Sequence, residues 1–298
     1  MSKNCYQNSI SETLKPRQIV YNNDDFESYY LTADEVNAVF ATGKIPLMML
    51  DGTFENAPKI AMIWGQEKHP DRIEKDYSLH PDYVKSIIDA GGTPYFIVYD
   101  KIAEQLDMIQ PDGIFLIGGV FNSPAAWYDT DVAEDVDKRG LAYLTMLDYA
   151  KAHKLPLLGI CGGMQMIAGY FGAKMQKGIN INLPPEKSHK QNGELIVHKV
   201  LIEDDSLLSN ITNKTEIMTN SSHNEAVIAE KAGNNRIIAR AEDGIVEAIE
   251  PIGGWHKFIL GVQWHPERLC KQGDVSSKNI FKSFIESCKN DEKSCRNR

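Results

Sequence analysis

"PLLGICGGMQMIAGYFGA", residues 156–173, joins an apolar run to an amphipathic one through a single cysteine set among glycines. The run ending at Ile160 has the length and burial pattern of an interior strand. In "GMQMIAGYFG", Met164, Ile167, Ala168 and Phe171 recur at helical spacing. Cys161 therefore stands at a strand-to-helix turn, on the carboxyl edge of a sheet, where open α/β folds bind ligands. A sharp turn at a nucleophile tolerates only small neighbours, and Gly159, Gly162 and Gly163 supply them. The N-terminus of the helix that follows also favours a thiolate. A buried cysteine in a glycine-rich turn would read the same way, and this stretch alone does not separate the two.

The same alternation extends outward. "KIAMIWG" (59–65), "TPYFIVYD" (93–100) and "GIFLIGG" (113–119) read as strands. Between and after them lie helical stretches at "HPDYVKSIIDAGG" (80–92), "KIAEQLDMI" (101–109) and "DVDKRGLAYLTMLDYAKAHK" (135–154). Strand–helix alternation of this kind implies right-handed βαβ units and a parallel sheet. Beyond about residue 174 the texture becomes short strand-like runs split by Gly, Asn and Asp, from "GELIVHKVLIEDD" (193–205) to "KFILGVQW" (257–264). These predict further, partly antiparallel strands on the same sheet, closed by a helix in "SSKNIFKSFIESC" (276–288). The fold class is α/β, a mostly parallel central sheet with flanking helices in the flavodoxin manner. Residues 58–290 form the main domain, and 1–57 an extension packed on it with a short helix at 32–43 and an apolar piece at 45–50. Residues 291–298 form a flexible polar tail.

Composition narrows the function. The 298 residues carry a net charge of −9, which argues against a general nucleic-acid or anionic-membrane binder. No leader and no apolar run of spanning length is visible. The five cysteines are scattered and without CxxC spacing, which argues against a structural zinc site or a disulfide scaffold and favours a reducing, cytoplasmic setting.

A cysteine nucleophile needs a base, and the base needs an orienting acceptor. "GVQWHPE" (261–267) provides both. If the segment closes a strand, His265 and Glu267 project alike, Pro266 stiffens the link, and one imidazole nitrogen meets Glu267 while the other faces Cys161. Gly118-Gly119, ending the strand in "DGIFLIGGVFNSP" (112–124), can bring backbone N–H groups close to a ligand. With the N–H of Gly162, that of Gly119 or Val120 would complete an oxyanion hole.

These residues resemble the class I glutamine amidotransferase superfamily, with G-x-C-x-G-x-Q at Gly159, Cys161, Gly163 and Gln165, and H-P-E at His265, Pro266 and Glu267, about a hundred residues later. The resemblance implies a Cys-His-Glu triad, attack on a γ-glutamyl amide, and a thioester that water hydrolyses, with no metal or organic cofactor. Within that superfamily the chain is similar to the γ-glutamyl-γ-aminobutyrate hydrolases of putrescine breakdown over roughly residues 58–288. The N-S-x-H segment stands at Asn220, Ser221 and His223, H-x-V at His198 and Val200, and D-G-x-x-E-A at Asp243, Gly244 and Glu247. By that resemblance Gln165, Asn220, Ser221 and His223 contact substrate, although Gln165 could equally serve packing and His223 could be a satisfied loop histidine. His198 reads as structural and Asp243-Gly244 as a turn.

Two departures bear on the leaving amine. Gly162 replaces an arginine usual in that hydrolase family, and Glu225 replaces its glutamine. An acidic pocket would favour a cationic amine, of polyamine type, over γ-aminobutyrate. Two other functions compete with the free-standing hydrolase. One is an amidotransferase component passing ammonia to a synthase partner. The other is a non-catalytic binding or regulatory relative, with residues 1–57 as the covering or recruiting element. The expected partner is a small γ-glutamyl substrate, not nucleic acid or membrane, and a homodimer stays open.

Overall fold

The structure, a computed structural model, describes residues 57–63, 81–99, 101–132, 135–181, 184, 188–191, 193 and 195–289. The expected helix at 32–43, the apolar piece at 45–50 and the tail at 291–298 lie outside the described residues.

Among the described residues, five parallel strands form one half of a nine-stranded sheet. They are β1 (Lys59–Ile63), β2 (Thr93–Ile97), β3 (Gly113–Leu116), β4 (Leu157–Ile160) and β11 (Ile259–Val262). All of β3, β4 and β11 is buried, as strands covered on both faces must be, and so these segments read as unbroken apolar runs. β2 lies at the edge, where Pro94 interrupts no central ladder. The sheet continues through antiparallel strands β10 (Val246–Pro251), β9 (Asn235–Ala241), β6 (His198–Ile202) and β7 (Glu216–Thr219), in the order β2-β1-β3-β4-β11-β10-β9-β6-β7. One expected strand does not join it. β8 (Glu225–Val227) pairs with β5 (Met175–Lys177) in a separate two-stranded ribbon.

Helices cover both faces. On one side α1 (Pro81–Asp89), a short α5 (Leu207–Thr212), α6 (Pro266–Lys271) and α7 (Val275–Lys289) bury Tyr83, Ile87, Leu208, Leu269, Phe281 and Phe284. On the other, α2 (Ile102–Ile109), α3 (Lys138–His153) and α4 (Gly162–Tyr170) bury Leu106, Tyr143, Met146 and Ile167. α3 begins where Asp137 accepts the N–H of Gly140, a side-chain cap that ends the preceding loop.

The in-register pairing of β3, β4 and β11 sets the functional edge. Gly159 pairs with Leu116 on one side and with Gly261 on the other. The loops leaving these three strands therefore start at the same height, and they carry Gly118-Gly119, Cys161 and His265.

Candidate active site

Cys161 occupies φ 52°, ψ −110°, a backbone conformation that costs free energy for any residue with a Cβ. The turn survives because its surroundings dictate it. Cys161 N–H donates to Val262 across the sheet, and the helix closes at once through Gln165 N–H to the Cys161 carbonyl. Gly163 permits the close approach: a Cβ there would stand 1.9 Å from the Leu116 carbonyl oxygen. The thiol is thus lifted from the strand end to the start of α4, where unpaired N–H groups favour negative charge.

His265 and Glu267 reach the site differently from expectation. β11 ends at Val262, and His265 caps α6, with Pro266 in the first helical turn. Proline is suited to that position, where its missing N–H has no intrahelical role. The helix start, rather than strand alternation, folds Glu267 back onto the imidazole, with Nδ1 2.7 Å from Glu267 Oε1. Both side chains are buried. Cys161 lies beside His265, both flanking Gly118, and with Nδ1 held by Glu267 the other ring nitrogen, Nε2, is the one left for the sulfur. Burial alone would push the imidazole pKa down. The Glu267 carboxylate and the Cys161 sulfur outweigh it and hold the imidazolium up to about 10.

Gly118 fits between these groups. A methyl on its Cα would lie 3.1 Å from both Cys161 Cβ and His265 Cε1, and 2.8 Å from the Tyr83 hydroxyl. Tyr83, from α1, accepts the Gly118 N–H at 3.1 Å and stands 3.3 Å from His265 Nδ1. Burial, with Glu267 and Cys161 nearby, raises its pKa and keeps the phenol protonated. On the far side, buried Arg139 donates Nη2–H to the Gly118 carbonyl at 2.6 Å and stacks near Phe121 and Tyr143. In a trans peptide the C=O and the following N–H point in opposite directions. Arg139 therefore turns the Gly119 N–H away from itself. Among the described residues, the N–H groups of Gly119 and Val120 donate to nothing. Gly162 abuts this loop, its Cα facing the Gly119 carbonyl, and at the first helical position its N–H has no intrahelical acceptor. Gly119 and Gly162 are thus neighbours with unspent donors, and Val120 follows Gly119 in the same loop.

The four residues expected to contact substrate each have internal partners. Asn220 is fully buried and clamps the base: its Oδ1 accepts His265 N–H at 2.8 Å, and its Nδ2 donates to the carbonyls of His265 and Gly193. Ser221 is equally buried and donates to the His189 carbonyl at 2.7 Å. Gln165 spends its amide N–H groups on the Glu225 carbonyl and Gln263 Oε1. His223 Nδ1–H donates to the Glu225 carbonyl, and its Nε2 faces Glu247. These four build the floor beneath His265 and the Cys161 turn. Tyr83 and Arg139 were not among the expected site residues.

Glu225 is neutralised locally. Its Oε2 accepts the Tyr128 hydroxyl at 2.6 Å and its Oε1 lies 3.6 Å from Lys177 Nζ. The carboxylate is not a lone acidic group awaiting a cation.

Residues 58–267 match the sequence family described as Peptidase C26. The chain is 32% identical over 260 residues to the glutamine amidotransferase-like protein RP404 of Rickettsia prowazekii, spanning 72% of this chain and 90% of that one. It is 30% identical over 227 residues to the gamma-glutamyl-gamma-aminobutyrate hydrolase PuuD of Escherichia coli, spanning 71% and 86%. To a glutamine-hydrolyzing GMP synthase component of Sulfolobus acidocaldarius it is 30% identical over 206 residues, spanning 69% and 91%. A solved structure of a GMP synthase component from Thermoplasma acidophilum shares the fold, with a TM-score of 0.54 at 20% identity, over 82% of this chain and 98% of that one. The α/β sheet, the strand-to-helix cysteine turn and this match over more than half the length agree: the chain belongs to the Peptidase C26 family, of class I glutamine amidotransferase-like fold.

Proposed function

We propose that this chain is a cysteine-dependent hydrolase of γ-glutamyl amides. The observation that carries the reading is the buried 2.7 Å contact between His265 and Glu267, with His265 beside a cysteine on a strained turn. A structural cysteine has no use for that geometry. A nucleophile paired with an oriented base does.

In the proposed sequence Cys161 Sγ attacks the γ-carbonyl carbon while its proton rests on His265 Nε2. The carbonyl oxygen takes the electron pair and is held by N–H groups of Gly119 or Val120 and Gly162. The tetrahedral adduct collapses, the C–N bond breaks, and His265 gives the proton to the leaving amine. A γ-glutamyl thioester remains. His265 then takes a proton from water, the hydroxide attacks the thioester, glutamate leaves, and the proton returns to Sγ. Glu267 holds the imidazole in the tautomer and orientation that both steps require. The engagement of Glu225 by Tyr128 and Lys177 removes the ground for preferring a cationic amine, so the substrate class is a small γ-glutamyl amine, with γ-glutamyl-γ-aminobutyrate and γ-glutamyl-polyamine both included. No helix among the described residues is long and apolar enough to cross a membrane, and a reducing compartment, such as the cytoplasm, suits a free thiol nucleophile.

Similarity to the GMP synthase component of Sulfolobus acidocaldarius supports a second reading, a glutaminase that hands ammonia to a synthase. The two separate in one assay. Glutamate release is followed from γ-glutamyl-γ-aminobutyrate, γ-glutamylputrescine, γ-glutamyl-p-nitroanilide and glutamine, with Cys161→Ala as control. Turnover of a γ-glutamyl amine by the chain alone, lost in the variant, supports the hydrolase. Weak glutamine turnover alone, rising on addition of a synthase partner, supports the second reading.

A further inference from the structure

Three sequence segments that the proposed reaction does not use meet at one buried point. "VHKV" brings His198, "TNSSHNEAV" brings His223, and "EDGIVEAIE" brings Asp243 and Glu247. A fourth segment, before β6, brings His189. His189 Nδ1 and His198 Nε2 each lie 3.4 Å from Glu247 Oε1, and His223 Nε2 lies 3.6 Å from the same oxygen. We propose that His189, His198, His223 and Glu247 form a binding site for one transition-metal dication of the zinc class.

Two of the histidines hold a proton on the side away from the cluster. His189 Nε2 is 2.9 Å from Asp243 Oδ2, and an ionised carboxylate only accepts, so Nε2 donates there and Nδ1 is the nitrogen turned toward Glu247. His223 Nδ1 likewise must donate to the Glu225 carbonyl at 2.9 Å, which leaves its Nε2 lone pair facing Glu247. A carboxylate or carbonyl behind each imidazole is the arrangement that fixes a metal-ligating histidine in the correct tautomer. Ser221 Oγ, 3.5 Å from the same Nδ1, spends its proton on the His189 carbonyl and can only accept from Nδ1–H, so this ring gives up that proton when the ion binds.

The carboxylate is correspondingly stranded. Glu247 is fully buried, and among the described residues both its oxygens lack a hydrogen-bond partner, as do His198 Nε2 and His223 Nε2. Contacts of 3.4–3.6 Å are long for hydrogen bonds from nitrogen to a carboxylate. They fit another geometry. Ligands about 2.0–2.1 Å from a central zinc in a tetrahedron stand roughly 3.3–3.4 Å from one another. The candidate atoms of His189, His198 and Glu247 all fall within 4.8 Å of one another, so the two histidine nitrogens close in on the ion when it binds, and His223 Nε2, 3.6 Å from the same oxygen, is the candidate fourth ligand. A break in the β9–β10 register on either side of Glu247 and Ala248 re-aims the Glu247 side chain out of the regular ladder. His198, with its side chain 18% exposed, opens the path for the ion.

The metal would be structural. It joins β6, β10 and the 188–191 and 220–225 segments, and the last of these begins with the Asn220 clamp on His265. This role is separate from the cysteine chemistry, which needs no metal.

The test is metal content and binding on the full-length protein. Protein as purified is analysed for bound metal, stripped with a chelator, and titrated with Zn²⁺ and then with Co²⁺. The expected result is one ion per chain, a four-coordinate Co²⁺ visible spectrum, and a Zn²⁺-dependent rise in Tm of at least about 5 °C. His198→Ala and the isosteric Glu247→Gln should each weaken Zn²⁺ binding by 10-fold or more (about the size of a lost ligand or orienting partner). If one variant fails to fold, stoichiometry and the Co²⁺ spectrum of the wild type still decide. Stripped, folded protein that takes up no Zn²⁺ would overturn the proposal and leave a protonated imidazole–carboxylate network. So would a six-coordinate Co²⁺ spectrum, or binding undiminished in both variants.

Discussion

Replacing Gly118 with alanine inserts a single methyl between the proposed nucleophile and its base. The position has no positive φ, so the alanine backbone itself is tolerated, and the effect is confined to space. The new Cβ would begin 3.1 Å from Cys161 Cβ, 3.1 Å from His265 Cε1 and 2.8 Å from the Tyr83 hydroxyl. Carbon atoms rest at about 3.5–4.0 Å, so the sulfur-bearing and imidazole-bearing sides must each give by about 0.4–0.9 Å. A misplacement near 1 Å at a reacting group costs about 10²-fold in rate, and overpacking of this size costs about 1–3 kcal/mol in stability. The expected outcome is a kcat for glutamate release from a γ-glutamyl amide lowered about 10- to 100-fold. Tm should fall by only a few degrees, and near-UV circular dichroism should stay native. Alkylation of Cys161 by iodoacetamide, followed by peptide mapping, should slow in parallel, since the same displacement separates the thiol from His265. A folded Gly118→Ala enzyme with wild-type kcat and wild-type alkylation would refute the placement of Gly118 at the junction of the two groups.

Other substitutions probe the supports. Arg139→Lys removes the planar donor that pins the Gly118 carbonyl; loss of one oxyanion donor costs about 10²–10³ in kcat, so a loosened one should cost at least about 10-fold, with KM little changed. Asn220→Ala strips three hydrogen bonds from the backbone around His265 and Gly193, and should cost about 1–3 kcal/mol in urea unfolding as well as activity. His265 has a folded-state pKa raised to about 10 from an unfolded value near 6.5. Its contribution to stability is then complete below about pH 6.5 and lost as pH rises through about 10, so the stability gap between wild type and His265→Asn should shrink across that window. Cys161→Ala removes one of the charges that raise this pKa, and an NMR titration of the His265 ring should find it lowered.

The strand–turn–helix around Cys161 and the parallel half of the sheet were legible because their signals are local. An interior strand is an apolar run, a buried helix start needs glycine, and "LLGICGG" shows both within a few residues. Non-local geometry was harder to read. Glu267 was expected to meet His265 through strand alternation. The proline after His265 starts a helix instead, and the two side chains meet through its first turn. Asn220 and Ser221 carry polar side chains in a loop, a pattern that suits ligand contact as well as internal clamping. Their complete burial, set by β6, β7 and the 188–191 segment, is what gives them internal partners. Tyr83 and Arg139 lie 78 and 22 residues before Cys161 on helices whose periodicity says which face is buried, but not that a hydroxyl or guanidinium ends beside a glycine pair. The His189–His198–His223–Glu247 cluster was invisible for the same reason, its members drawn from four separate segments with no metal-ligand spacing.

The central claim is that Cys161 carries the acyl group. It is tested most directly by mixing the enzyme with excess γ-glutamyl amide, quenching in acid within milliseconds to seconds, and measuring intact and peptide masses. The account predicts a population heavier by one glutamyl acyl group, localised to the peptide containing Cys161, decaying as substrate is exhausted and absent from Cys161→Ala. Steady turnover with no acyl group on Cys161, or turnover undiminished in Cys161→Ala, would contradict it.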